Sequence, residues 1–379
     1  MSGAAVRLSS LDAFRGLTIA AMVLVNNPGD WANLYPQLAH APWHGWTFTD
    51  LIFPFFLFIG GVSMALSLGR LADGGADKPA LLAKLAKRAL LIFAIGFALN
   101  LIPHFNVDTV RIPGVLQRIA LCTLLAAPIV VYFSWRAQLV WIGILLALYS
   151  ALMLTVPVPG IGAGVLEPGK DLGAYIDRLL MHGHLWAKVK TWDPEGLLST
   201  LPALCSQLIG VLAGRSLLAG RTRAEQTVWM LLAGLLLALG AILDVILMPI
   251  NKSLWTPSYC LLASGWALLL FSAFYWLLDA SPDALVRQIA ARWSKPFLIY
   301  GMNALFIFAL SGLVAKMLGF IKLIQPDGTH VSLGATLYAP IGALNLAPVN
   351  TSLLYALLFN ASMFAVAWCM WRKKWFVKI

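Results

Sequence analysis

Long apolar runs alternate with short polar breaks along most of the chain. Nineteen uncharged residues lie between Asp50 and Arg70, and nineteen between Glu195 and Arg215. Similar runs separate Arg118 from Arg136, Glu225 from Asp244, Lys252 from Asp279 and Lys295 from Lys316. Each is long enough, or nearly so, to cross about 30 Å of hydrocarbon as a helix. A further run follows Arg136 until Pro157 and Pro159 stop it. Residues 82–102 make another, with Lys84, Lys87 and Arg88 near its start, placed to snorkel. The first helix must begin near Leu11 and so carries Asp12 and Arg15. Between His330 and Arg372 the pattern predicts one span over 350–371, and an interfacial or re-entrant piece over 334–347.

The prediction is an all-α, polytopic integral membrane protein, a single domain over 1–379, with about ten transmembrane helices, or eleven if 334–347 also crosses. Residues 157–195 form its largest loop. Leu172, Tyr175, Ile176, Leu179, Leu180 and Trp186 share roughly one helical face, so 172–190 is expected to be an interfacial helix over the outer mouth, or else a plain connector.

Composition agrees. Of the 379 residues, 60% are hydrophobic and 11% charged, which excludes a disordered chain and an ordinary soluble enzyme. The net charge of +11 would point to nucleic acid in a soluble protein, but here it reports orientation. With both termini inside, 18 of the 27 Lys and Arg fall in inner segments, Arg7, Arg70 and Lys378 among them, so both termini are expected in the cytoplasm. Cys122, Cys205, Cys260 and Cys369 sit in apolar runs as small fillers.

Polar residues gather at the outer helix ends: Asn26 and Asn27, then His40, His44 and Asp50, then Arg111, Gln117 and Arg118, then Asp193 and Glu195, Asp244, and finally Asn251, Lys252, Trp255, Ser258 and Tyr259. Such a set suits a sugar, which needs directional hydrogen bonds and a flat aromatic face; each member taken alone also reads as an anchor or helix cap. Inner ends carry Arg15, Lys84, Lys87, Arg88, Arg292 and Lys295, which either set topology or meet the phosphates of a nucleotide-bearing cofactor. His40 and His44 are four apart, but Pro42 and Gly45 oppose a regular helix there, so no metal site is expected.

In order, SLDAFRG (10–16), HAPWHGWTFTDLIFPFFLFIGG (40–61), RIPGVLQRIAL (111–121), DPEGLLST (193–200), NKSLWTPSY (251–259) and YGMNAL (300–305) resemble a bacterial member of the heparan-α-glucosaminide N-acetyltransferase family. The resemblance implies transfer of acetyl from cytoplasmic acetyl-CoA to the amino group of a glucosamine across a bacterial inner membrane. It implies His40 as the active-site histidine, Asn26 as a functional amide with Asn27 as fallback, and Asp50 as the carboxylate of the same block. His40 would take the amine proton, or carry the acetyl group itself; Asn26 would polarise the carbonyl. Asp50 would orient the imidazole or cap the second span, with Arg118 a candidate partner.

Trp255 is the candidate for stacking on the sugar, with Arg118, Glu195, Asp244, Asn251, Lys252 and Tyr259 as further substrate contacts. Arg15, Arg88, Lys295 and Asn303 are candidate acetyl-CoA contacts; Asn303 either lines the pantetheine passage or bonds to a neighbouring helix. A homodimer in membrane lipid follows from the resemblance, with no nucleic acid and no metal. The alternative is a transporter of an amino sugar or related small solute that uses the same outer pocket.

Overall fold

The computed structural model describes residues 8–73, 75, 77–325 and 328–377; the side chains of 69–74 are not described. Arg7 and Lys378, and the side chain of Arg70, lie outside this description and carry no structural statement.

The helices are α1 (Ser9–Asn26), α2 (Phe48–Asp73), α3 (Lys78–Leu101), α4 (Val115–Tyr132), α5 (Trp135–Thr155), the short α6 (Leu172–Leu180) and α7 (Thr200–Leu218). They continue with α8 (Arg223–Ala233), α9 (Leu236–Ile246), α10 (Pro257–Tyr275, extended by a π turn over Trp276–Ala280), α11 (Ala284–Met302) and α12 (Ala304–Phe320). A small antiparallel hairpin of β1 (Lys322–Ile324) and β2 (His330–Ser332) leads into α13 (Leu333–Gly342) and α14 (Pro348–Arg372).

The chain is thus an all-α polytopic membrane protein. Among the described residues, seven helices are long and apolar enough to cross a membrane: α2, α4, α5, α7, α8 with α9, α10 with its π turn, and α14. An eighth is added if α11 and α12 count as one span. By composition α1 and α3 fall below that threshold, because Asp12 and Arg15, or Lys84, Lys87 and Arg88, dilute their apolar runs.

Two expected elements differ. The expected straight span over 295–316 is broken at Asn303, where α11 and α12 bend by 71°. The expected interfacial helix over 172–190 ends at Leu180, because the chain turns at Met181 and Gly183 takes a left-handed φ of +81°. Residues 333–342 form α13, too short for a full crossing.

Close backbone contacts at glycines set the helix crossings. A Cβ on Gly61 of α2 would sit 2.0 Å from the carbonyl oxygen of Gln207 in α7, and one on Gly210 would sit 2.1 Å from that of Phe58. A Cβ on Gly16 of α1 would sit 1.7 Å from the Phe297 carbonyl oxygen of α11. Small residues let backbones approach without a hydrophobic driving force, which is how helices pack in lipid. The interior between α1, α2 and α10 is filled by aromatic rings, with Phe14 5.4 Å from Phe55 and 6.1 Å from Phe271, and Phe58 6.0 Å from Phe271. Cys122, Cys205 and Cys260 are buried, whereas Cys369 is exposed.

Candidate active site

The loop before α2 folds back over its first turn. Asp50 lies three residues after Thr47, where a carboxylate can accept from the backbone at the helix start. Its Oδ2 accepts from the Thr47 N–H and the Ala41 N–H, each at 3.0 Å. Its Oδ1 faces Nδ1 of His40 at 2.7 Å. Asp50 therefore caps α2 and orients the imidazole at once. The ionised carboxylate only accepts, so Nδ1 donates and Nε2 keeps its lone pair. The Asp50 side chain is 1% exposed and that of His40 49%, so the ring reaches solvent from a fixed root.

Lys252 arrives from the α9–α10 loop. Its Nζ lies beside the ring, 3.1 Å from Nδ1 and 3.3 Å from Nε2 of His40, and 3.7 Å from Oδ1 of Asp50. Burial pulls the Lys252 ammonium below its ordinary pKa, against the opposing charges of Asp50 and Glu195. The loop is tied down on both sides. The Gly45 N–H donates to the Ile250 carbonyl at 2.8 Å, and Asn251 Nδ2 is 3.4 Å from Nδ1 of His44. Asp244, near the end of α9, accepts from the Ile250 N–H at 2.5 Å, and within the loop Asn251 Oδ1 accepts from the Leu254 N–H at 2.9 Å. Trp255 takes a left-handed φ of +53° to close the turn.

Of the other predicted sugar contacts, Trp255, Tyr259, Asn251 and Arg118 form a buried layer beneath this cluster. Trp255 is 1% exposed; its indole N–H donates to Ser206 Oγ at 3.1 Å, and Phe53 and Tyr259 pack edge-on against it. Neither Trp255 nor the fully buried Asn251 presents an open face. The suggested Arg118–Asp50 pair does not form. Arg118 instead donates to the Gly196 carbonyl and to Ser199 Oγ, each at 2.6 Å, and its guanidinium lies 5.5 Å from the Trp255 ring centroid. Its Nε and other terminal nitrogen are buried with no hydrogen-bond partner among the described residues.

Glu195 is engaged as well. Arg111 grips Asp193 through two nitrogens at 2.8 and 2.6 Å and reaches Glu195 Oε2 at 2.5 Å. Burial opposes the Arg111 charge, but the two carboxylates outweigh it and hold its pKa above the ordinary value. Asp177 of α6 accepts from the Leu197 N–H at 2.9 Å in the same loop. Burial, added to by Asp193, pushes the Asp177 carboxyl up to about 7. This ion-paired frame was hidden in the sequence, where only the order of the RIPG and DPEG blocks hinted at it.

Asn26 is exposed, and among the described residues its side chain has no hydrogen-bond partner; Asn27 turns back onto the Val23 carbonyl at 2.7 Å. At the far end of the helices, Arg15 bonds to Asp12 at 3.0 Å and Ser63 at 2.9 Å. Arg88 and Lys295 are exposed, the latter 5.5 Å from the Trp371 ring centroid. Asn303 is buried and latches the chain's end: it donates to the Trp375 carbonyl at 3.0 Å and accepts from the Val377 N–H at 2.9 Å. Among the described residues, no contact gathers Arg15, Arg88, Lys295 and Asn303 into one site. Among the described residues, no group of three His, Cys, Asp or Glu is placed to hold a metal.

A family model described as heparan-alpha-glucosaminide N-acetyltransferase, catalytic, matches residues 7–240. That stretch holds His40, Asp50 and Arg118 but ends before Lys252. The chain is 32% identical over 359 residues to heparan-alpha-glucosaminide N-acetyltransferase of Homo sapiens, covering 80% of this chain and 52% of that protein. Against the protein of the same name from Mus musculus it is 31% identical over 362 residues, covering 80% and 53%. The chain spans about half the length of the curated relatives it matches.

Proposed function

We propose that this chain, which belongs to the heparan-alpha-glucosaminide N-acetyltransferase family, transfers acetyl from acetyl-CoA to the amino group of a glucosamine-type sugar at His40. The observation that carries the reading is the His40–Asp50–Lys252 cluster. It holds one half-exposed imidazole in a fixed tautomer beside one ammonium.

In this reading the unprotonated amine attacks the thioester carbonyl carbon and a C–N bond forms. The carbonyl oxygen becomes an oxyanion, which Lys252 stabilises. Nε2 of His40 accepts the amine proton, and Asp50 holds the resulting imidazolium. The C–S bond then breaks, and the thiolate leaves with the proton that His40 returns. Asn26 has no contact tying it to His40, so Lys252 takes the polarising role expected of the amide. Trp255, Tyr259, Asn251 and Arg118 hold the site from below.

In this reading the basic helix ends face the cytoplasm and His40 faces the opposite side. Phe14, Phe55, Phe58 and Phe271 fill the interior between α1, α2 and α10, so a donor taking that route from the cytoplasm would require these rings to part. The apolar outer surfaces of α8, α9 and α14 face lipid or a second copy.

Proteoliposomes test the reading, with labelled acetyl-CoA on one side and glucosamine on the other. Acetylated sugar on the glucosamine side supports it. Glucosamine uptake without acetyl-CoA, and no acetylated product, contradicts it and favours a carrier.

A further inference from the structure

At the end of the bundle away from His40, a pocket of about 500 Å³ opens among the start of α1, the ends of α2, α7 and α10, and the starts of α8 and α11. From Asp50 to Leu66 along α2, as from Tyr259 to Tyr275 along α10, the separation is about 24 Å at 1.5 Å per residue. The volume falls within the range of small-molecule sites. Leu8 and Leu66 supply apolar wall; Arg221, Arg223 and Arg287 supply charge.

The charges are held but not neutralised. Arg223 donates one nitrogen to the Asp279 carbonyl at 2.6 Å, and Arg287 donates one to the Ser281 carbonyl. Arg221 stacks 4.9 Å from the Trp229 ring centroid. Backbone carbonyls and an indole fix guanidinium positions without cancelling their charge. The lining carboxylate, Asp279, is turned to the start of α1, where it accepts from the Ser10 N–H at 2.8 Å and the Ser9 N–H at 3.2 Å. Among the described residues, three cations therefore surround one cavity with a single carboxylate, already engaged. A bias of basic residues toward one membrane face explains their sign but not their enclosure of a common volume. Guanidinium groups fixed in this way match phosphate oxygens, with which they form paired, charge-assisted bonds.

We propose that this pocket binds the phosphate groups of a nucleotide-bearing ligand through Arg221, Arg223 and Arg287. Resting on the reading above, that ligand is the nucleotide end of the acyl donor. An anionic lipid headgroup offers the same phosphate chemistry, and the experiment separates the two sources.

The full chain is placed in phosphatidylcholine nanodiscs and titrated with coenzyme A, with 3′,5′-ADP and with pantetheine, which lacks the phosphates. Arg221→Gln, Arg223→Gln and Arg287→Gln are titrated in parallel. Arg221→Gln keeps the test open if the other two misfold, since among the described residues its guanidinium holds no backbone group and Trp229 is exposed. Each loss is expected to weaken coenzyme A by about tenfold or more and to leave pantetheine unchanged. Nucleotide binding that is absent, with phosphatidylglycerol retained by the wild-type protein and lost in the variants, upholds the phosphate site and assigns it to lipid. Unchanged coenzyme A affinity and unchanged lipid retention in folded variants overturn the proposal. If the wild-type protein still acetylates glucosamine in that case, the functional reading survives while the pocket assignment falls.

Discussion

The phenol of Tyr259 donates to the backbone carbonyl of Asp50 at 2.5 Å, so α10 fixes the very residue that aims His40. An Asp50→Asn variant keeps the volume but brings N–H donors to a place where only an acceptor fits. The imidazole then loses its fixed tautomer. Acetyl transfer is expected to fall by about two to four orders of magnitude, as for a lost base or wrong tautomer. Stability is expected to change less, by about 1 kcal/mol, because the remaining amide oxygen still accepts from the Ala41 and Thr47 N–H groups while those bonds lose their charge assistance. Steady-state kinetics and thermal unfolding in detergent read the two effects separately.

Lys252 is expected to act on the transition state. Lys252→Met should lower kcat by about 10²–10³-fold, the scale of one missing oxyanion donor, with a smaller change in KM for the amine. Because burial lowers the Lys252 pKa, the native enzyme loses this charge at a lower pH than an exposed lysine would. Lys252→Arg, which stays charged, should therefore move the alkaline limb of the rate profile to higher pH. An unmoved limb would remove Lys252 from that role.

Asp177 makes a prediction about stability. Its carboxyl is pushed up to about 7 by burial, so the folded protein holds a proton there that the unfolded chain releases near the ordinary carboxylate range. Between those two values the folded state binds more protons, and stability must fall as pH rises. Above about 7 this contribution stops changing. Asp177→Asn should flatten that fall in a series of unfolding midpoints from pH 4 to 8. The same slope in both proteins would refute the assignment.

Helix packing predicts a contrast between two glycines. A Cβ on Gly16 meets the Phe297 carbonyl at 1.7 Å, whereas one on Gly143 of α5 meets nothing within 4 Å. Gly16→Ala must push α1 from α11 and should cost about 1–3 kcal/mol. Gly143→Ala should be neutral or stabilise by about 0.5–1 kcal/mol, since glycine is the poorer helix former. Unfolding midpoints of the two variants decide this.

Much of the fold was legible because membrane helices announce themselves by uncharged length. Runs such as 51–69 and 196–214 became α2 and α7. The break at Asn303 was not legible: the run from Lys295 to Lys316 is uncharged throughout, and one asparagine looks the same within a straight helix. At the bend its side chain bonds to the backbone of Trp375 and Val377, a long-range contact that sequence order does not disclose. In the site, His40 and Asp50 were readable as neighbours within one block. Their meeting with Lys252 was not, because it depends on the pairing of Gly45 with Asn251 across distant loops. Glu195 and Trp255 carried the right chemistry for a sugar, yet Arg111 holds the one and a packed interior encloses the other. Arg221, Arg223 and Arg287 looked like topology signal, since a charge tally cannot show that three of its members face one cavity.

Acetyl is expected to move at His40, held by Asp50. The direct measurement is transfer from radiolabelled acetyl-CoA to glucosamine by purified protein, with His40→Ala beside the wild-type chain. The side chain is 49% exposed, so the variant is expected to fold and to bind coenzyme A normally while transfer falls by about 10²–10⁴-fold. A variant that transfers acetyl at the wild-type rate would contradict the account.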